Sequence, residues 1–341
     1  MVNIRDVAKL AEVSPGTVSR ILSKDPGLSV NEKTREKVYR VCQELNYVPR
    51  KYKRDGHSNS VGIISATSRE RENDDLYYRK IREKLVQSSK AKKFCIDFMI
   101  FLPNLEDNWQ QIKSVNCIII IGHIDHKIHE KIFLINSNII IVDDYYCSKK
   151  YSSISVDFYS EMTMILDYVY EMGHTNIAFI GGKNQRLTLD SDYLDDGLGD
   201  REKAYIDWME HKKLTKYRQL YIGENWFAQT GYDLTTKLLN DKKVLPSVII
   251  AGSDILALGI LKKLTVSGIE VPRDLSICSF DDLEMASFLS PSLTSLRVDI
   301  DQMVYWITKL CEKMMENKLS APVKIILSGK LVKRESLKEF F

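Results

Sequence analysis

The sequence predicts a small all-α unit followed by a larger α/β core of two doubly wound parallel sheets. Three observations lead there. The first 47 residues carry helical periodicity without strand alternation, residues 50–60 are polar and basic, and from Val61 onward short apolar runs alternate with amphipathic segments. At 341 residues and 44% hydrophobic, the chain can bury a sizeable core, and a prior of roughly 150 residues per domain suggests two or three units.

Within the first unit, Ile4, Val7, Ala8 and Ala11, then Val18, Ile21 and Leu22, then Val38, Val41 and Leu45 fall at 3.6-type spacing, enough for three short helices. Pro49 ends the third. In VSPGTVSRIL, the pair Pro15–Gly16 would break a helix interior. Ser14 before it is instead an N-cap, and Pro at the first helical position loses no needed N–H while its fixed φ is already helical. Only Val13 and Ser14 separate this helix from the one before, which is the outline of a helix-turn-helix. Its second helix enters the major groove with its N-terminal residues toward base edges, here Pro15, Gly16 and, one turn on, Arg20. Arg20 can fork to guanine, and Thr17 and Ser19 are short donors for phosphate oxygens.

Charge supports this placement. Residues 1–60 contain 12 Lys/Arg against 7 Asp/Glu, a net of +5 that leaves −2 on the remaining 281 residues. A local cationic excess favours phosphate backbones. The stretch RKYKRDGHSNS has no apolar period and reads as a linker, whose Arg50, Lys51, Lys53 and Arg54 are candidates for phosphate contacts.

Strand candidates of the core are VGIIS, FCIDFMIF, CIIII, IIIVDD, SISV, NIAFIGG, LYIG, VIIAGS and LSICSFDD. Near-continuous apolar strands mean that both sheet faces are covered. Helix candidates lie between them at 76–92, 161–172, 201–211, 228–239 and 255–267. About ten strands exceed what one open sheet usually holds, so two similar halves with a cleft between them are expected. The resulting division is 1–48, a linker at 49–60 and a core at 61–341, with one half at 61–157 and 292–320 and the other at 158–291 and 321–341.

Ligands in open α/β sheets sit beyond the carboxyl ends of the strands. Asp143 and Asp144, Ser253 and Asp254, and Asp281 and Asp282 lie at such ends, with Asp254 a helix N-cap candidate. Arg69 and Arg71, in the loop after the first strand, are the cations at hand for a phosphorylated ligand.

Several classes are excluded or disfavoured. No run approaches the roughly 20 apolar residues of a membrane span, and MVNIRDVAKLAE has charges where a signal peptide needs an apolar centre, so a cytoplasmic chain is expected. The six cysteines (42, 95, 117, 147, 278 and 311) occur singly, as buried thiols would. No GxGxxG follows a strand and no GxxxxGK[ST] exists, so neither an enzyme nor a cofactor is expected. His123, His126 and His129 are spaced i, i+3, i+6, but the third ring drifts off the face, and surface histidines are favoured over a metal site.

IRDVAKLAEVSPGTVSRIL followed by SVNEKTREKVYRVCQELNYVP closely resembles the headpiece of the LacI/GalR family of bacterial repressors, matching in order the DVA, VS..TVSR, KTREKV and ELNYVP segments. The stretches at 155–182 and 248–300 and the terminal VKRES resemble the family's effector-binding core, which is like a periplasmic binding protein. NDDLYYRKI and DGLGDREKAY are most similar to galactose-operon repressors of Gram-positive bacteria. The resemblance implies a transcriptional repressor of a sugar-utilisation operon, a homodimer on a roughly palindromic double-stranded DNA operator, modulated by a small sugar between the core lobes. It places Asp143, Arg201, Ser253 and Asp281 on effector-contacting positions, Trp226 on an aromatic that stacks on the sugar, and Tyr77 and Tyr78 in the N-terminal half of the site. In the family an Ala-rich hinge helix with a minor-groove leucine follows Asn-Tyr-x-Pro; residues 50–56 have neither feature. Two other readings stand beside this one: a sugar-binding or sugar-modifying protein whose N-terminal helices only dimerise, and a catabolite regulator with a phosphoprotein co-repressor.

Overall fold

The structure, a computed structural model, describes residues 4–22, 30–44, 59–67, 76–90, 94–241 and 244–340. The chain divides into two compact units, Met1–Ser58 and Asn59–Phe341.

The first unit holds α1 (Ile4–Ala11), α2 (Pro15–Leu22) and α3 (Glu32–Glu44). They enclose a core of Val7, Ala8, Ala11, Val18, Ile21, Val38, Val41 and Cys42, the apolar faces that the periodicity marks. The turn between α1 and α2 is tight because Glu12 takes φ 58°, while Val13 N–H bonds the Ala8 carbonyl at 3.0 Å. Ser14 then starts α2, its Oγ accepting from Thr17 N–H at 3.0 Å. An ion pair from Lys37 to Glu12, 2.7 Å, ties α3 to this turn. Asn31 caps α3 by accepting from Thr34 N–H at 2.7 Å.

The second unit begins with β1 (Ser60–Ser65), α4 (Leu76–Lys90), β2 (Cys95–Phe101), α5 (Trp109–Lys113), β3 (Cys117–Ile121), α6 (His126–Ile135), β4 (Ile139–Val142) and β5 (Ser152–Val156). The chain then crosses to a second lobe: α7 (Phe158–Glu171), β6 (Ile177–Gly182), a hairpin of β7 (Gln185–Leu187) and β8 (Tyr193–Asp195), α8 (Asp200–His211), β9 (Gln219–Gly223), α9 (Ala228–Asn240), β10 (Val248–Ala251), α10 (Asp254–Val266), β11 (Ser276–Asp281) and β12 (Thr294–Arg297). It returns to the first lobe for α11 (Ile300–Met315) and β13 (Lys324–Leu327), and ends in the second with β14 (Lys330–Val332).

The sheets run β13-β5-β4-β3-β1-β2 and β14-β12-β11-β10-β6-β9. All these neighbours pair parallel except β12 and β14. Each sheet is apolar on both faces. In the first, Ile81, Leu85, Met303 and Ile307 cover one face, and Ile112, Ile128 and Ile132 the other. In the second, Ile165, Val169, Tyr205 and Trp208 oppose Leu238, Ala257 and Ile260.

The expected exchange points at 292 and 321 are corrected. Thr294–Arg297 still pairs with β11 in the second lobe, and Lys324–Leu327 pairs with β5 in the first, so the crossings lie after 297 and after 327. Helix α7 starts earlier than the expected 161 because Asp157 caps it, accepting from Ser160 N–H at 3.0 Å. Five cysteines are buried, Cys95 is half-buried, and all six are free thiols. Among the described residues no helix is long and apolar enough to cross a membrane. The linker residues Arg50, Lys51, Lys53 and Arg54, and the loop residues Arg69 and Arg71, lie outside the described residues.

Candidate functional site

The carboxyl ends of both sheets face one cavity of about 290 Å³, and the seven side chains singled out in the sequence all line it: Tyr77, Tyr78, Asp143, Arg201, Trp226, Ser253 and Asp281. Asp143 follows β4 and Asp281 ends β11, so each lobe contributes one of these two strand-end carboxylates. Both residues have positive φ, 63° and 100°, unusual for a side chain with a Cβ.

Each belongs to an Asp–Asp pair whose members do different work. Asp144 does not line the cavity; it is fully buried and accepts from Arg186 Nη1 at 2.6 Å and Nη2 at 3.3 Å. Asp282 likewise pairs with Arg297 at 2.6 Å and Arg334 at 2.7 Å. The first aspartate of each pair lines the cleft. Burial pushes the Asp143 carboxyl up to about 7, against the opposing pull of Arg201 and of a hydrogen bond from Tyr78.

Arg201 sits in the first turn of α8, its guanidinium carbon 3.6 Å from the Phe158 ring centroid, 4.8 Å from that of Phe280 and 5.5 Å from that of Trp226. The rings hold the fork flat by cation–π contact. Its charge reaches Asp143. The Trp226 indole is anchored by Nε1–H donation to the Lys183 carbonyl at 3.1 Å. It lies so close to two strand ends that a Cβ on Gly182 or Gly252 would come within 2.8 Å or 2.7 Å of the ring. Those two glycines are what admit an aromatic platform here.

Ser253, not Asp254, is the N-cap of α10: its Oγ accepts from Leu256 N–H at 3.3 Å, which leaves its hydroxyl proton to donate. Asp254 is the first helical residue and accepts from Ser279, from Ser295 at 2.7 Å and from Leu283 N–H at 2.7 Å. Burial and nearby Asp281 push its carboxyl up to about 7. Tyr77 and Tyr78, in the first turn of α4, pack with ring centroids 5.4 Å apart.

Sequence reasoning missed the hairpin β7–β8. It springs from the second lobe and docks on the first, with Leu187 N–H on the His123 carbonyl at 3.1 Å and Asp125 N–H on the Leu187 carbonyl at 3.0 Å. Gln185 and Tyr193 thereby join the cavity wall, as does His123. The available signal was the polar stretch at 183–198, too long for a plain strand-to-helix turn. The expectation of surface histidines fails for His129, which is fully buried because it shares the inward face of α6 with Ile128 and Ile132.

In the first unit, α2 buries Val18 and Ile21 and exposes Pro15, Gly16 and Arg20, with Thr17 and Ser19 half-exposed. Gly16 and Arg20 are four residues apart and share one face. The Thr17 hydroxyl is hydrogen-bonded to Ser14 at 2.9 Å, so it holds the turn as well as facing outward.

A helix-turn-helix unit joined to a two-lobed core with a polar, aromatic cleft defines a ligand-responsive DNA-binding regulator. Residues 3–50 match the model of bacterial regulatory proteins of the lacI family, and residues 166–337 match that of a periplasmic binding protein-like domain. The chain is 30% identical to the transcriptional regulator GalR of Streptococcus thermophilus, over 99% of this chain and 100% of that protein. It is 29% identical to the transcriptional repressor MelR of Bacillus subtilis, over 98% and 97%. The chain belongs to the LacI family of bacterial transcriptional regulators, and it is a DNA-binding repressor, not an enzyme. Among solved structures, a transcriptional regulator CelR–cellobiose complex aligns at 21% identity and TM-score 0.68, over 98% of this chain and 100% of that one. The lac repressor dimer bound to operator and the anti-inducer ONPF aligns at 21% identity and TM-score 0.62, over 98% of each chain.

Proposed function

We propose that the chain represses a sugar-utilisation operon of the galactose type in the bacterial cytoplasm, and that a neutral sugar bound between the lobes releases it. Arg201 carries this reading. A fork held flat among Phe158, Phe280 and Trp226, within electrostatic reach of Asp143, offers donors between acceptors beside an aromatic face. Vicinal hydroxyls donate to Asp143 and Asp281, Arg201 donates to ring and hydroxyl oxygens, Ser253 donates one more, and the indole covers the apolar sugar face. Neutral ligands are favoured over sugar phosphates, because the described wall carries Asp143, Asp196, Asp200, Glu202 and Asp281 against only Lys183 and Arg201. Lys183 is moreover paired with Glu224 at 2.7 Å.

The operator is read by α2, with Arg20 as base reader and Thr17 and Ser19 on phosphates beside Pro15 and Gly16; Arg50, Lys51, Lys53 and Arg54 would add phosphate contacts. One headpiece spans only a few base pairs, so a homodimer on a palindrome follows. Sugar binding rotates the lobes and shifts the DNA-competent population by its differential affinity for the two states. The test is a panel of neutral sugars and sugar phosphates, screened for a rise in melting temperature and then for release of operator DNA. A neutral sugar should do both in the wild type and neither in Arg201→Ala; release at the same sugar concentration from that variant would overturn the assignment.

A further inference from the structure

Outside the sugar cleft, three side chains from two elements converge. His126 opens α6, His129 follows one turn later, and Asp144 lies two residues past β4; one ligand-capable atom from each lies within 4.8 Å of the others. None of the three lines the sugar cavity. His126 is exposed, whereas His129 and Asp144 are fully buried. Among the described residues, neither Nδ1 nor Nε2 of His129 has a hydrogen-bond partner. Its neighbours include the rings of Tyr151 and His126, with centroids 5.7 and 5.9 Å away. Buried polar atoms are ordinarily satisfied, and a buried imidazole with both nitrogens unmet beside a carboxylate and a second imidazole has the composition of a metal-ligand set.

We infer that His126, His129 and Asp144 bind a divalent ion of the zinc class, with water in the remaining position. Two imidazoles and one carboxylate suit zinc better than calcium or magnesium, which take oxygen ligands. The surrounding charge accommodates a cation: Arg186 is shared between Asp144 and Asp196, the latter at 2.8 Å, so these three groups together carry a net negative charge. Arg186 does not consume Asp144, since each carboxylate oxygen keeps a further lone pair, and a ligand oriented by an outer hydrogen-bonding partner is the usual arrangement around metals. Zinc bonds of roughly 2.0–2.2 Å put tetrahedral ligand atoms about 3.3 Å apart, so atoms within 4.8 Å of one another must close by up to about 1.5 Å. His126, exposed at the start of its helix, can approach the other two by changing rotamer.

The experiment uses the untagged full-length chain, stripped with chelator and titrated with Co²⁺ by visible absorption and with Zn²⁺ by calorimetry. One ion per chain is expected, with the intense Co²⁺ bands of four- or five-fold coordination and a Zn²⁺-dependent rise in melting temperature. His126→Ala, whose exposed position leaves the metal-free melting temperature unchanged, should weaken binding at least about tenfold, as removal of a metal-site partner does; His129→Leu, which keeps apolar bulk in the core, should abolish it. Absence of binding, or unchanged affinity in His126→Ala, would overturn the proposal. So would a thiolate-to-cobalt band lost in Cys95→Ser, which would place the ion on the half-buried cysteine.

Discussion

Arg186 of the second lobe's hairpin and Asp144 of the first lobe form a two-pronged ion pair, Nη1 to Oδ2 at 2.6 Å and Nη2 to Oδ1 at 3.3 Å, with residue exposures of 4% and 0%. Arg186 also donates to the Ile124 carbonyl at 3.3 Å. The pair fastens one lobe to the other at the rim of the cleft. Removing one partner of a buried pair strands the other charge, at a cost of about 3–5 kcal/mol. Arg186→Ala should lower the unfolding free energy by that order in denaturant titrations, and Arg186→Met with Asp144→Leu should lose less than the two single changes summed. Strict additivity would mean that the pair does not act as a unit.

Asp143 makes stability depend on pH. Its folded value of about 7 lies above the ordinary 3.8, so between about pH 4 and 7 the folded chain holds a proton that the unfolded chain has lost. This contribution falls as pH rises through the window and is constant above it. Asp143→Asn escapes the loss. The variant's melting temperature relative to wild type should therefore climb from pH 5 to pH 7.5, and a constant difference would show that Asp143 titrates normally. Asp254, also raised to about 7, stays in both chains and cancels in the comparison.

Gly252→Ala tests the aromatic platform without touching a polar group. The new Cβ would meet the Trp226 ring at 2.7 Å and, Gly252 being held between β10 and α10, the indole must move. Sugar-induced release of DNA should then need on the order of tenfold more sugar, since losing an aromatic stack costs about 1 kcal/mol or more. Circular dichroism and operator affinity without sugar should be unchanged.

Arg201 should resist conservative replacement. Lysine is a point charge without the planar fork that lies 3.6 Å from the Phe158 centroid. Arg201→Lys and Arg201→Gln should both weaken sugar binding on the order of 10- to 100-fold, the worth of a charged hydrogen bond. Calorimetry checks this directly, and full affinity in the lysine variant would reduce the role of Arg201 to charge alone.

For the operator, Arg20→Ala should cost about 1–3 kcal/mol and relax preference at one base pair per half-site, read by fluorescence anisotropy on single-substitution operators. Gly16→Ala should leave the headpiece folded, because among the described residues an added Cβ would meet nothing closer than Ser14 Oγ at 3.6 Å. A uniform loss over all operators in Arg20→Ala would place Arg20 on phosphate instead of base.

Strands such as β3 and β4 were legible as Ile/Val runs because a parallel strand covered on both faces has no polar positions to interrupt it. The headpiece was legible for a similar reason, its apolar spacing and the Ser14–Pro15 cap being local signals. The cleft residues stand at strand ends, where a polar side chain after an apolar run is conspicuous. What the sequence hides is decided by distant partners. β7 and β8 have three residues each and are held by the bridge from Ile124 to Leu187, and β13 and β14 pair with strands more than 30 residues away. Adjacency alone does not tell Asp143 from Asp144, or Asp281 from Asp282; the resemblance singled out the first of each pair, and the arginines that reach Asp144 and Asp282 supply a physical reason.

The chain passes between the lobes at residue 157, at 298–299 and at 328–329, three joints of one or two residues. Glu161, just past the first joint, accepts from Gly329 N–H in the third at 2.7 Å. Three short struts pinned side by side resist sliding and stretching, so the core behaves mechanically as a one-axis pivot whose bending is restrained by the docked hairpin and the Arg186–Asp144 pair. A small closure around a ligand near that axis is then amplified with distance, as at the end of a lever arm.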